Sequence, residues 1–391
     1  METFEPADIT ALSDILARSN AEGKTVELGG HFTKRWMGGP VAPAGVIVST
    51  AGLNRVVQYE PRDLTISVEA GLDFQALHEL LEQNNQMLPL DPPLADASTV
   101  GGVLAANCCG PRRRLFGTAR DMVIGMTFVT LEGKEVRSGG MVVKNVAGLD
   151  MAKLMIGSFG TLAAIARVNF RVYPRPPKER TFLFSFELLE AALRARDAVL
   201  GSVLQPAAID LVNPALGQGL GLALPGGHLL LVEAGGIEAV MARYERELKS
   251  IARDAGASEF APLEPEQAER VWLAISDFPA LSRWNESSAV VRISTTLARV
   301  GEALAVAGAR PALARAGSGV TYVCCQDSVS ELVTSARAAG LHTVVESCSD
   351  KDKTTLELWT DPGPELEVMT RIKRTLDPKN LLNHGRLYNR L

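Results

Sequence analysis

Apolar residues follow two different patterns along this chain, and the change between them falls at the proline-rich stretch 174–177. Up to that stretch, short apolar runs are separated by turn-forming residues, which indicates short strands with one or two helices. Ile9, Leu12 and Leu16 recur at helical spacing and predict an opening helix, and residues 73–84 predict a second one. The strands predicted in this part are residues 25–29, 45–49, 56–59 and 64–68.

Beyond residue 177 the chain changes to alternating strand-like and helix-like segments. The strand-like segments are residues 181–186, 208–212, 228–233, 289–294, 320–325 and 343–346. The helix-like segments are residues 187–201, 238–255, 297–307 and 329–339. Such runs indicate an α+β sandwich, with helices on one face of an antiparallel sheet. The sequence itself gives no sign of an internal repeat.

Glycine recurs eleven times between residues 98 and 166, among short apolar runs. Glycine weakens strands and helices and is kept where the backbone turns sharply or closely approaches another group. Backbone N–H groups left free in such turns form concave nests that bind anions such as a pyrophosphate. The segment therefore predicts a site for a large, flat dinucleotide. It has neither the Gly-x-Gly-x-x-Gly motif of a Rossmann domain nor a phosphate loop ending in Gly-Lys-Ser/Thr, which argues against NAD, ATP and GTP.

Several motifs in this segment occur in a familiar order. They are STVGG from residue 98, AN at 106–107, and Gly117 with Arg120 and Asp121. In this order they resemble the flavin-binding motif of the vanillyl-alcohol-oxidase/PCMH superfamily. CGPRR from residue 109 and VKNVAGLD from residue 143, followed by LMIGSFG from residue 154, narrow the resemblance to the FAD-binding E subunits of bacterial glycolate oxidases.

This resemblance implies an α+β fold: a PCMH-type FAD-binding domain of two α/β subdomains, followed by an α+β sandwich (ferredoxin-like) cap domain. The FAD-binding domain would span 1–175 and the cap 178–391, with the terminal segment 377–391 returning to the flavin domain. The implied cofactor is FAD, bound without a covalent bond. The residues that the resemblance places at FAD are Gly29, Gly30, His31, Phe32, Thr33, Lys34, Pro92, Pro93, Thr99, Gly101, Gly102, Asn107, Gly117, Asp121, Lys144, Asn145, Gly160 and Ile165.

The roles of some of these residues, and of the arginines at 112–114, are less closely defined by the resemblance. A histidine after two glycines, as at His31, is where some relatives attach the flavin covalently, so a covalent bond is the alternative to a polar contact. The amide or ammonium of Asn145 or Lys144 could stabilise the negative charge that develops on a reduced flavin. The arginines at 112–114 could bind a carboxylate or the cofactor phosphates, or they could form a solvated loop or a partner contact.

Composition and charge narrow the class of protein. A chain of 391 residues with 46% hydrophobic and 22% charged residues is typical of a globular enzyme with two domains or so. A net charge of −5 gives no reason to expect nucleic acid or an anionic membrane as a partner. No apolar run reaches the ~18 residues needed to span a bilayer, and the N-terminus lacks a signal-peptide pattern. The expected location is the cytoplasm, and a peripheral position at the inner membrane through partner subunits stays open.

The residues that usually carry metal chemistry are few and scattered. Five cysteines form no CxxC series and five histidines show no ligand spacing, so neither a metal nor an iron–sulfur site can be assigned. The cysteines are expected to be reduced and buried. Oxidation of a hydroxyl group by flavin also needs a base for the hydroxyl proton, and the sequence names none. His384 lies in a segment resembling the family's C-terminal motif, where a packing role is expected.

Three functions stay open. The first, which the resemblance favours, is the FAD-binding subunit of a multi-subunit glycolate oxidase that converts glycolate to glyoxylate. Its partners would be a larger FAD-binding subunit that oxidises the 2-hydroxy acid and an iron–sulfur subunit that takes the electrons. The second is a self-sufficient FAD-dependent alcohol or 2-hydroxy-acid dehydrogenase. The third is a non-catalytic assembly subunit that keeps the flavin fold as a scaffold.

Overall fold

The computed structural model describes residues 2–141, 149–222, 227–283, 288–326 and 328–391. The chain forms two compact units. The first unit consists of Met1–Cys109, Gly117–Arg175 and Asp350–Leu391, and the second of Gly110–Phe116 and Pro176–Ser349. The segment that returns to the first unit thus begins at Asp350, before the segment 377–391 expected from the sequence. The short segment 110–116 belongs to the second unit.

The first unit contains three sheets. The strands before residue 175 are β1 (Glu2–Phe4), β2 (Val26–Gly29), β3 (Val46–Ser49), β4 (Val56–Glu60), β5 (Thr65–Glu69), β6 (Gln86–Met87), β7 (Val123–Val129), β8 (Glu135–Gly139), β9 (Ala164–Arg171) and β10 (Tyr173–Pro174). The helices of the same stretch are α1 (Ile9–Glu22), α2 (Phe74–Glu82), α3 (Val100–Ala105), α4 (Arg113–Phe116, in the second unit), α5 (Ala119–Met122) and α6 (Met151–Met155). Strands β1-β3-β2 form a parallel sheet, β4-β5-β9-β7-β8 an antiparallel one, and β10-β6 an antiparallel pair.

The opening helix forms where the apolar spacing predicts it. Asp8 caps its N-terminus by accepting a hydrogen bond from the Ala11 N–H (2.8 Å), and Gly23, with φ of 66°, ends it. Leu12 and Leu16 are fully buried against apolar residues of β2 and β3. Burial of each side chain contributes about 1.5–3 kcal/mol, which fixes this helix against the parallel sheet.

The second unit is built on one eight-stranded antiparallel sheet. Its strands are β11 (Lys178–Phe186), β12 (Ala208–Val212), β13 (His228–Gly236), β14 (Glu259–Pro262), β15 (Ala289–Ser294), β16 (Ala312–Arg315), β17 (Val320–Cys325) and β18 (His342–Ser347). Besides α4, its helices are α7 (Leu189–Gly201), α8 (Pro214–Gly217), α9 (Glu238–Ala255), α10 (Pro265–Asp277), α11 (Val300–Ala307) and α12 (Val329–Ala338) among the described residues. The predicted α+β architecture is confirmed.

The eight strands are two copies of one motif. Both halves read strand-helix-strand-strand-helix-strand, and the sheet order β14-β11-β13-β12-β16-β17-β15-β18 places the second strands of the two halves side by side. Each half is therefore a ferredoxin-like unit. The sequence shows no trace of this structural repeat. The motif constrains which positions are apolar, but it leaves the residue types at those positions free.

An ion pair joins the two halves of this sheet. Asp210 of β12 and Arg315 of β16 contact each other across the joining strands, and their side chains are 1% and 3% exposed. Arg315 also donates through Nη2 to the carbonyl oxygen of Ile275 (3.0 Å). The ring of Tyr322 lies 5.9 Å from the Arg315 guanidinium, and burial raises its pKa to about 12. The hydroxyl of Tyr322 is therefore neutral at physiological pH.

Two arginines of segment 110–116 form hydrogen bonds with other residues of the second unit, to which this segment belongs. Arg112 forms two hydrogen bonds with the Glu233 carboxylate, from Nη2 (2.8 Å) and Nε (3.0 Å). Arg114 donates through Nη1 to the carbonyl oxygen of Pro206 (2.8 Å). These two arginines are thus engaged with protein groups, which accounts for them without a cofactor phosphate.

Two helices of the returning segment complete the first unit, α13 (Asp350–Thr355) and α14 (Glu365–Leu376). The Nζ of Lys353 in α13 donates to the carbonyl oxygen of Arg35 (2.7 Å). The buried Nζ of Lys373 in α14 donates to the carbonyl oxygens of Thr161 (2.7 Å) and Leu382 (2.9 Å). Burial lowers the pKa of Lys373, and its ion pair with Asp377 opposes that effect.

Candidate functional site

A cavity of about 280 Å³ lies within the first unit, bordered by the loop after β2, by helix α3 and by the loop before β9. Most of the residues predicted from the sequence line it. They are Gly29, Gly30, His31, Phe32, Thr33, Lys34, Thr99, Gly101, Gly102, Gly160 and Ile165. The structure thus brings together residues that are up to 136 positions apart in sequence (165 − 29).

The loop after β2 is shaped for close approach. A Cβ at Gly30 would lie 2.1 Å from the Thr99 hydroxyl oxygen, and one at Gly29 would lie 2.6 Å from the Phe32 ring. In the described part of the chain, the N–H groups of Gly30, His31, Phe32 and Thr33 donate to no acceptor. Consecutive free N–H groups of this kind form an anion-binding nest.

The Lys34 side chain holds this loop through hydrogen bonds to another segment of the chain. Its side chain is buried, and its Nζ donates to the carbonyl oxygen of Pro93 (2.5 Å) and to the hydroxyl of Ser98 (2.6 Å). These bonds tie the loop after β2 to the segment before α3. Pro92 and Pro93 do not line the cavity, and Pro93 acts through its carbonyl group.

The His31 ring lies between two polar groups. Its Nδ1 is 3.3 Å from the carbonyl oxygen of Ala97, and its Nε2 is 3.5 Å from the carboxylate of Asp73. The ring is partly exposed, at 38% of its side-chain surface. Both ring nitrogens therefore face oxygen atoms of the chain.

Helix α3 begins at the cavity with Thr99. The Thr99 hydroxyl oxygen accepts from the N–H of Gly102 (3.2 Å), which caps the helix. A Cβ at Gly101 would lie 2.9 Å from the Cβ of Ala70, so glycine lets the helix pack closely on the chain after β5. At Gly102 a Cβ would meet only the Thr99 hydroxyl within 4 Å, and this face of the helix opens to the cavity.

Three predicted residues shape turns outside the cavity lining. The Asp121 carboxylate accepts from the Thr118 N–H (2.8 Å) and hydroxyl (3.1 Å) and caps α5. Gly117 has φ of 84°, and a Cβ there would lie 2.5 Å from this carboxylate. Asn107 has φ of 52° and packs beside Gly157. Lys144 and Asn145 lie outside the described residues.

The C-terminal segment also contributes side chains to this site, which the sequence did not predict. Arg386 is buried and donates to the carbonyl oxygens of Gly39 (2.7 Å, Nη1) and Lys34 (3.1 Å, Nη2). Burial lowers its pKa to about 10, so it stays charged at neutral pH. Asn383 and the exposed His384 also line the cavity. The motif at 383–386 was visible in the sequence, but nothing local indicates which carbonyl groups it meets.

The charges around the cavity fit a dinucleotide with a pyrophosphate. Glu27 is the acidic residue among the described lining residues, and its carboxylate pairs with Arg35 (2.7 Å). The free N–H nest and the cation Arg386 leave this part of the site favourable for an anion. The remaining walls are small or apolar, such as Ala105, Ala163 and Ile165, as a flat aromatic ligand requires.

The described residues contain no group of three or more His, Cys, Asp or Glu side chains that could hold a metal ion. No disulfide joins cysteines among the described residues, and four of the five cysteines are buried. Within the described ranges, no helix has the length and apolar character needed to cross a membrane.

Comparison with protein families assigns both parts of the chain. Residues 3–139 match the FAD binding domain, and residues 175–310 and 351–387 match the C-terminal domain of FAD linked oxidases. The structure is similar to 4-ethylphenol oxidase from Gulosibacter chungangensis, with a TM-score of 0.76 at 15% identity, over 99% of this chain and 89% of that one. This similarity concerns the fold.

Two curated relatives are similar in sequence. The glycolate oxidase subunit GlcE of Escherichia coli (strain K12) is 36% identical over 163 residues, which cover 41% of this chain and 46% of the relative. The mitochondrial D-lactate dehydrogenase [cytochrome] of Arabidopsis thaliana is 27% identical over 381 residues, covering 90% of this chain and 67% of the relative. The match to the bacterial subunit thus spans about half of that protein's length.

The fold, the loop with free N–H groups and both family matches agree with one assignment, and FAD is the cofactor. With a PCMH-type FAD-binding domain and the C-terminal domain of FAD-linked oxidases in one chain, this protein belongs to the FAD-dependent oxidoreductases.

Proposed function

We propose that this chain is the FAD-binding subunit of a multi-subunit glycolate oxidase that oxidises glycolate to glyoxylate. The observation that carries the proposal is the 36% identity to a glycolate oxidase subunit over 163 residues. In the proposed complex, a larger FAD-binding subunit oxidises the hydroxyl group and an iron–sulfur subunit takes the electrons. The proposed location is the cytoplasm, with contact to the inner membrane only through those partners.

The first unit would hold FAD with the residues that line its cavity. The free N–H groups of residues 30–33 would bind the pyrophosphate, and Gly102 and Gly160 would leave room for the cofactor beside them. FAD, when bound, supplies an acceptor for two electrons that can be passed on one at a time. The chain's own contribution is to bind and orient this group and to exclude water from it.

The chemistry of the substrate supports a role for a partner. Oxidation of glycolate removes a hydride from carbon and a proton from the hydroxyl group, so a base is required. His31 faces Asp73 and the Ala97 carbonyl, while burial lowers the pKa of His228 and of His342 in the second unit. Neither the sequence motifs nor this arrangement assigns a base, and we infer that the larger subunit supplies it.

Turnover by the isolated chain tests this proposal. We expect the purified FAD-loaded chain to reduce an artificial electron acceptor with glycolate at well below about 1 s⁻¹, the low end of common enzyme rates. Co-expression with the larger flavin subunit and the iron–sulfur subunit should restore the activity. The isolated chain without glycolate serves as the blank. Fast glycolate oxidation by the chain alone would argue for a self-sufficient enzyme.

A second function, a 2-hydroxy-acid dehydrogenase that acts alone, is favoured by one observation. The similarity to the Arabidopsis D-lactate dehydrogenase extends over 90% of this chain. The same assay separates the two functions when D-lactate is added beside glycolate. Rapid D-lactate oxidation by the isolated chain supports this second function, whereas slow oxidation of both substrates supports the subunit.

The mode of FAD attachment has its own prediction. We expect acid precipitation of the holoprotein to release the flavin into the supernatant, since His31 is proposed as a non-covalent contact of the phosphate-side loop. The measurement is flavin absorbance in the supernatant, with flavin fluorescence of the denatured chain on a gel as its complement. Flavin that stays on the polypeptide would contradict this, and a His31→Ala variant would then show whether His31 is the attachment point.

A further inference from the structure

The carboxamide of Asn383 joins two of the loops that border the cavity. Its Nδ2 donates to the carbonyl oxygen of Leu28 (2.9 Å) and to that of Phe159 (2.7 Å). Its Oδ1 accepts from the N–H of Leu28 (2.7 Å). A carboxamide offers two N–H donors and one oxygen, so each of these groups bonds to backbone. We propose that Asn383 is a positioning residue that sets the spacing of the two loops around FAD.

On one side, Asn383 continues the edge of the parallel sheet. Val26 of β2 donates to the carbonyl oxygen of Leu381 (2.8 Å) and accepts from the N–H of Asn383 (3.0 Å). Two residues further along β2, the Asn383 side chain accepts from the Leu28 N–H and donates to the Leu28 carbonyl oxygen, as a peptide group of a neighbouring strand would. The hydrogen-bonded edge of β2 therefore extends as far as Leu28. The loop with free N–H groups begins two residues later, at Gly30.

On the other side, Asn383 holds a turn with an unfavourable backbone conformation. Phe159 has φ of 53°, in the left-handed region that bulky residues avoid, and its N–H donates to Ala105 at the end of α3 (2.8 Å). A Cβ at Gly160 would lie 2.7 Å from the Asn383 Nδ2, so glycine is needed for the carboxamide to approach. Conformations of this kind persist only when their surroundings fix them.

Loss of these contacts should weaken FAD binding, because a preformed site loses less conformational entropy when the ligand binds. The inference rests on FAD binding alone and is independent of the substrate proposed above.

Two substitutions test the role of the carboxamide while the backbone conformation at position 383 is kept. Asn383 has φ of 41°, which glycine adopts freely, so Asn383→Gly removes the side chain without backbone strain. Asn383→Asp is nearly isosteric and points an acceptor at two carbonyl oxygens.

The test is FAD titration of the full-length apoprotein, followed by flavin fluorescence, with amide hydrogen exchange of residues 28–34 and 157–161 as the second readout. We expect the Kd for FAD to rise about tenfold in Asn383→Gly, which corresponds to about 1.4 kcal/mol of binding free energy, and further in Asn383→Asp. Both loops should exchange faster in the apoprotein. The matched control is Asn85→Gly, since Asn85 also has a positive φ (52°), is exposed and lies outside the cavity lining, and this variant should bind FAD with the wild-type Kd.

Wild-type Kd values in both Asn383 variants would overturn the proposal. So would a lower melting temperature with unchanged Kd and unchanged loop exchange, since that is the result of a merely structural contact. If Asn383→Gly does not fold by circular dichroism, the nearly isosteric Asn383→Asp decides the question by the same two readouts. No turnover is measured, so these outcomes do not depend on whether glycolate is the substrate.

Discussion

Replacement of Gly102 by glutamate is expected to abolish FAD binding while the chain stays folded. Gly102 lies on the cavity face of α3, where a Cβ would meet only the Thr99 hydroxyl oxygen, at 3.2 Å. The longer side chain therefore extends into the space that FAD requires. It also places a carboxylate near the proposed pyrophosphate, and an unpaired buried charge costs several kcal/mol. FAD content should fall below about one tenth of an equivalent, as measured by flavin absorbance.

Gly102→Ala is the matched control for this variant. The backbone of Gly102 is helical and has no positive φ, so alanine can adopt it, and the Thr99 hydroxyl has to move by only a few tenths of an ångström. Its Cβ touches only the Thr99 hydroxyl, and we expect near-stoichiometric FAD. Circular dichroism should be the same for both variants, since glutamate and alanine favour a helix over glycine. A Gly102→Glu protein that retains one equivalent of FAD would falsify the placement of the cofactor against α3.

Substitution of Asp210 by alanine is expected to destabilise the second unit by about 3–5 kcal/mol, the usual effect of breaking a buried ion pair. The remaining Arg315 side chain is 3% exposed and would be left buried without its partner carboxylate. The pair also joins β12 to β16, the strands at which the two halves of the sheet meet. Urea unfolding followed by circular dichroism measures the change in the free energy of unfolding.

Two further variants serve as controls for the Asp210→Ala result. Asp254→Ala removes a carboxylate from the exposed Arg253–Asp254 pair, at 76% and 65% exposure, and should leave the unfolding curve unchanged. The double variant Asp210→Leu with Arg315→Met replaces the buried pair by apolar side chains and should recover most of the lost stability. Equal stability of Asp210→Ala and the wild type would show that the pair is not what stabilises the junction.

Much of the fold could be predicted because its elements have strong local patterns. The helix over Ile9–Glu22 shows apolar residues at helical spacing, and the strands β11, β13 and β17 contain largely apolar runs long enough to be recognised. Strand β16 (Ala312–Arg315) escaped prediction because it has only four residues and is alanine-rich, and alanine is depleted in strands. The repeat in the second unit escaped for a related reason: sheet order is a property of strand pairing, which leaves little trace in residue identity.

The candidate site divides in the same way. Gly29, Gly30, Gly102 and Thr99 were predicted as site residues because close backbone approach and a hydroxyl contact with a phosphate or flavin oxygen demand particular residue types. The role of Thr99 as the cap of α3 appears only in the structure. Those types can be recognised locally, and so the sequence by itself determined the flavin domain, the cofactor class and the loops that border the cavity. Whether Lys34 reaches a phosphate or a carbonyl group could not be determined in that way.

Only the tertiary structure decided which groups hold those loops in place. Lys34 donates to Pro93 and Ser98, and Asn383 bonds to Leu28 and Phe159, which lie 355 and 224 positions away. Arg386 likewise meets carbonyl groups near the other end of the chain. Carbonyl groups occur at every residue and carry no residue-specific signal, so partners of this kind are fixed by chain topology and remain invisible to any local pattern.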